Sequence, residues 1–218
     1  MIGTQDCGCT RPSHSTRLVV LTGGPGAGKT AVLELVRRTI CQHVAVLPEA
    51  ASIIFGGGFP RRDTLPARRA AQRAIVRVQQ ELERWVTQEE PVAMGLCDRG
   101  TLDGLAYWPG SAEDFFSELG TTREKELARY AAVIHLRTPP ADAGYNHHNP
   151  LRIESPEEAA AIDARIEQVW SAHPRRFVIP NTQDFMEKAR HALMHIRAEL
   201  PECCLGRFRS STDGLPSF

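Results

Sequence analysis

From Gly23 to Thr30 the chain reads Gly-Gly-Pro-Gly-Ala-Gly-Lys-Thr, with four residues between the first glycine and the Gly28-Lys29-Thr30 triplet. That is the spacing GxxxxGK[ST], and it is credible only between a strand and a helix. Both neighbours are present. Leu18 to Leu21 is an apolar run of buried-strand type, and from Lys29 the positions Val32, Leu33, Leu35, Val36 and Ile40 keep one helical face. Glycines at Gly23, Gly24, Gly26 and Gly28, with Ala27 between them, let backbone amides turn inward around phosphate oxygens, and the helix N-terminus adds the positive end of its dipole. Lys29 then supplies a point charge near a transferred phosphoryl group, and the Thr30 hydroxyl can join a Mg²⁺ shell.

The remaining apolar runs repeat the strand and helix alternation. Strands are predicted at 44–47, 92–97, 132–136 and 177–179. Amphipathic helices are predicted over 66–88, with Pro66 in the first turn and Ala71, Ile75, Val78, Leu82, Trp85 and Val86 on the apolar face, from Pro156 to about Trp170 behind a Ser155 cap, and through Phe185, Ala189, Leu193 and Ile196. Thr121 with Glu124 suggests a capping box for a short helix leading to Tyr130. Apolar strands alternating with helices imply an α/β architecture, a parallel sheet covered on both faces. The folded body is expected over 17–200, with disordered tails at 1–16 and 201–218, both short of apolar content.

Composition narrows the chemistry. The 218 residues hold 26 basic and 26 acidic side chains, so no global field favours nucleic acid or an anionic membrane surface as the main partner. A nucleotide and a small-molecule acceptor fit better. No apolar run reaches the roughly 18 to 20 residues of a membrane span, and no signal-peptide core opens the chain. Six cysteines (Cys7, Cys9, Cys41, Cys97, Cys203, Cys204) scatter without a disulfide or zinc-knuckle pattern, which reads as a reducing cytoplasm. Cys7, Cys9 and His14 are read as inert in preference to a metal set. His147-His148 is read as solvated loop.

Asp98 closes the third predicted strand, at the carboxyl edge where ligands gather in open parallel sheets. A carboxylate there can hold a Mg²⁺-bound water or accept a proton; the alternative is a turn cap. The next residue, Arg99, is not the second acid that motor ATPases use to polarise water, which favours transfer to an acceptor over hydrolysis. Glu49 follows the second strand and can face the same γ-phosphate, or merely cap a helix begun by Ala50-Ala51-Ser52. Arg152, and with less weight Arg165, suits a lid over the phosphates. Asn181, after the last strand, can lie against a nucleotide base. The Gly56 to Arg62 stretch reads as a mobile loop.

Taken together, Val19 to Thr30, Leu47 to Ser52, Cys97 to Gly100 with Leu105-Ala106-Tyr107, the basic segment around Arg152, and Phe177 to Asn181 resemble the P-loop kinase superfamily. More narrowly they resemble the AAA-domain family typified by the ribosylnicotinamide kinase domain and its small stand-alone relatives. The resemblance covers about 17–200. It implies a three-layer P-loop NTPase fold with strand order 2-3-1-4-5, a phosphate donor on the glycine-rich loop, and an acceptor near the ends of strands two and three. It also implies roles for Lys29, Thr30, Glu49, Asp98, Arg99 and Arg152. The Gly56 to Arg62 loop lacks a recognisable nucleoside-reading signature, so acceptor identity does not carry over.

The expected activity is ATP- and Mg²⁺-dependent phosphoryl transfer to a small hydroxyl-bearing, nucleoside-like acceptor, with GTP as the other candidate donor. The alternative is a nucleotide-binding regulatory module or an ATPase. The chain lacks an NKxD guanine signature, which argues against a guanine-specific switch of the common type. Whether Glu49 or Asp98 is the base stays open at this point.

Overall fold

The computed structural model describes residues 9, 14–140, 155–182 and 184–205. The elements run β1 (Arg17–Thr22), α1 (Lys29–Thr39), β2 (Val44–Leu47), α2 (Ala50–Gly56), α3 (Leu65–Gln88), β3 (Met94–Asp98), α4 (Asp103–Tyr107) and α5 (Ala112–Leu119). They continue with α6 (Arg123–Leu127), β4 (Ala132–Leu136), α7 (Pro156–Val169), β5 (Arg176–Ile179), α8 (Phe185–Ala198) and α9 (Glu202–Leu205). The strands form one parallel sheet of order β2-β3-β1-β4-β5, the P-loop kinase order. Register pairs Leu21 with Asp98, Thr22 with His135 and Leu47 with Cys97. The carboxyl ends of four strands therefore meet at one edge, where β1 releases the chain into the glycine-rich loop.

Period-two alternation within the central strand divides the core. Val19 and Leu21 pack with Val32, Leu33, Val36, Ala192 and Ile196 under α1 and α8, while Leu18 and Val20 pack with Val86, Ile166 and Trp170 under α3 and α7. Each face is sealed by helices, so both sets of positions along this strand are apolar. That is why it reads as an unbroken hydrophobic run.

Local signals decide the helix ends. The Ser155 hydroxyl accepts the Glu158 amide while the Glu158 carboxylate accepts the Ser155 amide, a complete capping box ahead of Pro156. The box expected at Thr121 is displaced by one residue. Thr122 caps α6 by accepting the Lys125 amide, because the Thr121 hydroxyl is taken by the buried carboxylate of Glu126 at 2.7 Å. The third strand begins at Met94 instead of Val92, and the Ala93 and Met94 amides both donate to the His43 carbonyl. Structure also continues past Leu200. α9 adds a turn whose Cys204 is fully buried, its amide donating to the Pro201 carbonyl.

The face of α3 differs most from its expected pattern. Val76, Gln79, Glu83 and Val86 are the buried line, while Trp85 is half exposed. The helix is turned by about one position because a polar network lies beneath it. Glu83 accepts from Gln79 Nε2 at 2.9 Å, from the Tyr130 hydroxyl at 2.7 Å and from both Arg129 Nε at 3.0 Å and Nη2. Tyr130 passes the network on to Thr101, and Thr101 to Glu126. A buried carboxylate satisfied by four donors is tolerable, but the buried donors of Gln79 and Tyr130 cannot find water if it is removed. Glu83→Ala is therefore expected to destabilise the fold by about 2–5 kcal/mol, the cost of leaving the buried donors of Gln79 and Tyr130 unsatisfied. Urea unfolding checks this; a loss under about 1 kcal/mol, the value of an exposed pair, contradicts it.

Candidate functional site

The glycine-rich loop closes by backbone geometry that side chains would obstruct. Gly23, Gly26 and Gly28 have φ of 139°, 78° and 95°, values that β-carbons disfavour. Gly24 is required for space. A β-carbon there would lie 2.4 Å from Thr138 Oγ1 and 2.9 Å from the Ala159 carbonyl. This backbone lets the amides of Gly26 and Gly28 face inward, and Gly28 delivers the chain into α1. Lys29, in the first turn and almost fully buried, donates from Nζ to the Gly23 carbonyl at 3.0 Å and the Gly24 carbonyl at 3.2 Å. Burial, and after it the charge of Arg99, bring its pKa down to about 8. Thr30 follows, exposed on the cavity wall.

From the neighbouring strand ends come the acidic groups. Glu49 stands at the N-cap position of α2 but makes no side-chain cap. The helix of the bland alternative exists, yet the carboxylate turns instead to Arg99 Nε at 2.7 Å and the Ser52 hydroxyl at 2.5 Å. Burial pushes Glu49 up, but Arg99 and Lys29 outweigh it and hold the group at about 2. Asp98 is its opposite. Burial raises it to about 6, with Glu49 adding to the rise and Lys29 opposing it, and its Oδ1 is buried without a hydrogen-bond partner.

Arg99 has a left-handed backbone, φ 71°, which folds its guanidinium back over the loop. There it reaches Glu49, the Gly23 carbonyl at 3.1 Å and Asp103 at 3.2 Å. Sequence reasoning missed Asp103. It also accepts from Thr22 at 2.6 Å and from the Trp170 indole at 2.6 Å, so it is a buried anchor for the arginine.

A second support reaches the loop from α7. Asp163 accepts the Gly24 amide at 2.8 Å, contacts His135 Nε2 at 2.9 Å and pairs with Arg137 Nε at 3.3 Å. Burial works against its ionisation, but the His135 and Gly24 hydrogen bonds keep its pKa below the ordinary carboxylate value. Neither Asp163 nor His135 carries a motif. Asp163 directly follows the buried Ile162 and reads in sequence as an ordinary helical acid; only the packing of α7 against the loop exposes its role.

Lys29, Thr30, Glu49, Asp98 and Arg99 all line one cavity of about 910 Å³, and Arg165 joins it from α7. Beyond the loop its wall runs through Phe55, Tyr107 and Ile75, with Arg61 and Arg62 from the segment after α2 and Arg68 from the first turn of α3. The end of the Gly56 to Arg62 stretch is thus cavity wall, with Arg61 stacking 5.0 Å over Phe55. Asn181 lies elsewhere. Its amide donates to the Thr138 carbonyl at 2.7 Å and its side-chain oxygen accepts from Lys188 Nζ at 2.9 Å, tying β5 to the end of β4. Arg152 and His147-His148 lie outside the described residues.

The residues fit Mg²⁺ by chemistry: a hydroxyl and a buried carboxylate oxygen without a partner are hard oxygen donors beside a phosphate loop. Thr30 and Asp98 would hold it.

Residues 18–188 match the family described as AAA domain. None of the curated proteins matches the sequence. Among solved structures, deoxyadenosine kinase from M. mycoides with bound dATP superposes with a TM-score of 0.56 at 13% identity, over 83% of this chain and 99% of that one. Thymidylate kinase from Ehrlichia chaffeensis superposes at 0.52 and 13% identity, over 84% and 99%. The NadR protein in complex with NR gives 0.59 and 13% identity, over 85% of this chain and 51% of that one. At such identities the likeness is one of fold.

The Glu49–Arg99 pair gives a pH prediction. A folded pKa of about 2, against an ordinary 4.5, means stability fully present above pH 4.5 and lost as pH falls toward 2. At about 1.4 kcal/mol per tenfold change in proton affinity, the contribution is at most about 3 kcal/mol. Glu49→Gln is expected to flatten the fall of unfolding free energy between about pH 5 and 2. An unchanged slope contradicts the pairing.

Proposed function

The chain belongs to the AAA-domain family, and from that premise we propose that it is an ATP- and Mg²⁺-dependent phosphotransferase acting in the cytoplasm on a small hydroxyl-bearing, nucleoside-like acceptor. The observation that carries the reading is the continuity of the phosphate loop with a walled compartment. A hydrolase needs room only for water beside the γ-phosphate. Here the cavity continues past Glu49 and Asp98 into a chamber lined by Phe55 and Tyr107, with space for a ring-bearing molecule.

In this reading the amides of Gly26 and Gly28 and the Lys29 ammonium take the phosphates of ATP, the ammonium exchanging the Gly23 and Gly24 carbonyls for phosphate oxygens. Lys29 (pKa about 8) and Asp98 (pKa about 6) are both pushed toward neutrality by burial. Each gains from an opposite charge arriving with the nucleotide. Thr30 and Asp98 would hold Mg²⁺, which when bound would supply neutralisation of charge on the phosphate oxygens. Glu49, ionised at neutral pH and fixed by Ser52 and Arg99, accepts a hydrogen bond from the acceptor hydroxyl and orients it. The acceptor oxygen then forms a bond to the γ-phosphorus as the bond to the β–γ bridging oxygen breaks. ADP leaves with the bridging oxygen, and the hydroxyl proton passes to Glu49 and on to solvent. Arg165, and Arg152 as a lid, steady the transferred group.

The test is ADP release across a panel of nucleosides, nucleoside monophosphates and related metabolites, with ATP and GTP as donors. At least one acceptor is expected to raise release above background. Lys29→Met and Asp98→Asn are expected to lower that rate by about 10²–10³-fold, as removal of a charge-stabilising group does, with thermal unfolding little changed. A folded protein that binds nucleotide while no acceptor raises ADP release sinks the kinase reading and leaves a nucleotide-binding module.

A further inference from the structure

At the amino edge of the sheet, opposite the phosphate loop, six soft-donor side chains converge from three distant stretches of chain. Cys9 and His14 come from the segment before β1, Cys41 and His43 from the turn between α1 and β2, and Cys203 and Cys204 from α9. The ligating atoms of Cys41, His43 and Cys204 lie within 4.8 Å of one another and all three side chains are buried. The same spacing holds for His14 with Cys203 and Cys204, and for Cys9 with His14 and His43. His43 Nδ1 is 3.5 Å from Cys204 Sγ, 161 residues away, and 3.9 Å from Cys41 Sγ. The His14 and His43 rings meet edge to face at 4.8 Å between centroids.

We propose that Cys41, His43, Cys204 and His14 form a structural site for a tetrahedral, borderline-soft divalent ion of the zinc class, with Cys9 and Cys203 flanking it. Metal–sulfur bonds of about 2.3 Å and metal–nitrogen bonds of about 2.0–2.1 Å put tetrahedral S···N edges near ~3.6 Å. The two His43 edges already lie close to that length, so the ion can enter with little motion of the buried side chains. Charge agrees as well. Two thiolates balance a divalent cation, leaving a neutral centre in a place where Cys41 and Cys204 belong to the apolar core. Sulfur and imidazole donors select zinc-like ions and reject Mg²⁺, which keeps this site separate from the oxygen donors of Thr30 and Asp98.

The site's place in the fold says what it does. Val44 of β2 and Arg17 of β1 both pair with Met94 at the amino edge, and the cluster sits just before these strand starts. None of the six residues lines the nucleotide cavity. The ion would fasten the segments before β1 and after α8 to the sheet, closing long loops of chain, and would take no part in phosphoryl transfer.

The experiment uses the full chain, purified reduced, stripped with chelator and titrated with Co²⁺ and then Zn²⁺. One Co²⁺ per chain is expected, with thiolate-to-cobalt charge transfer and strong tetrahedral d–d absorption, both lost on Zn²⁺ addition. Oxygen donors at the nucleotide site cannot give that charge-transfer band, so a failed kinase assay leaves this result standing. Cys41→Ser/Cys204→Ser is expected to bind at least about a hundredfold more weakly, since thiolates carry most of the affinity, while ATP affinity is unchanged. Should that variant not fold, His14→Ala is expected to weaken Co²⁺ binding and alter the d–d bands. Failure of the wild-type chain to develop the charge-transfer band overturns the proposal, as does recovery of a Cys41–Cys204 disulfide from the native protein.

Discussion

Arg99 carries a left-handed backbone at the end of β3, a conformation that costs an arginine about 1–2 kcal/mol relative to an ordinary one. What it obtains is reach. From that position one planar guanidinium contacts the Glu49 carboxylate beyond β2, the Gly23 carbonyl beyond β1 and Asp103 at the start of α4. Three segments that share no local sequence are held by one side chain, and Tyr107 covers it at 5.7 Å. Lysine could not replace it, because a point charge on a flexible stem cannot serve three acceptors in fixed directions.

The phosphate loop is held from the opposite side by Asp163, whose carboxylate takes the Gly24 amide and is itself held by His135 and Arg137. The loop is therefore preorganised between two buried clusters, one from the β2–β3 side and one from the β4–α7 side. Preorganisation matters for phosphoryl transfer because little covalent chemistry is asked of the protein and much positioning is. Lys29 is engaged by the loop's own carbonyls because a buried ammonium needs acceptors.

The parallel sheet and the phosphate loop were legible because they rest on short-range patterns: apolar runs, helical spacing and glycines at fixed offsets. The strand order came with the family resemblance. Glu49, Asp98 and Arg99 were legible by their place at strand ends. Asp103, Asp163 and His135 were not, since each acts through partners 67, 139 and 28 residues away, and no local period records such a pairing. The α3 face was misplaced for the same reason. Gln79 and Glu83 lie one position off the apolar period, and Glu83 is buried because Arg129 and Tyr130, 46 and 47 residues away, join Gln79 as its donors. The six cysteine and histidine side chains of the proposed metal site scatter along the chain, and only the fold gathers them.

For the chain to act as the kinase proposed above, the chamber beyond Glu49 and Asp98 must admit an acceptor in place of water. The fate of the γ-phosphoryl group in ¹⁸O-enriched water tests it directly, read by mass spectrometry of the products with an activating acceptor present. Phosphoryl transfer yields a phosphorylated acceptor without solvent ¹⁸O, formed in equal amount to ADP. Stoichiometric inorganic phosphate carrying solvent ¹⁸O, with the acceptor unmodified, would contradict it.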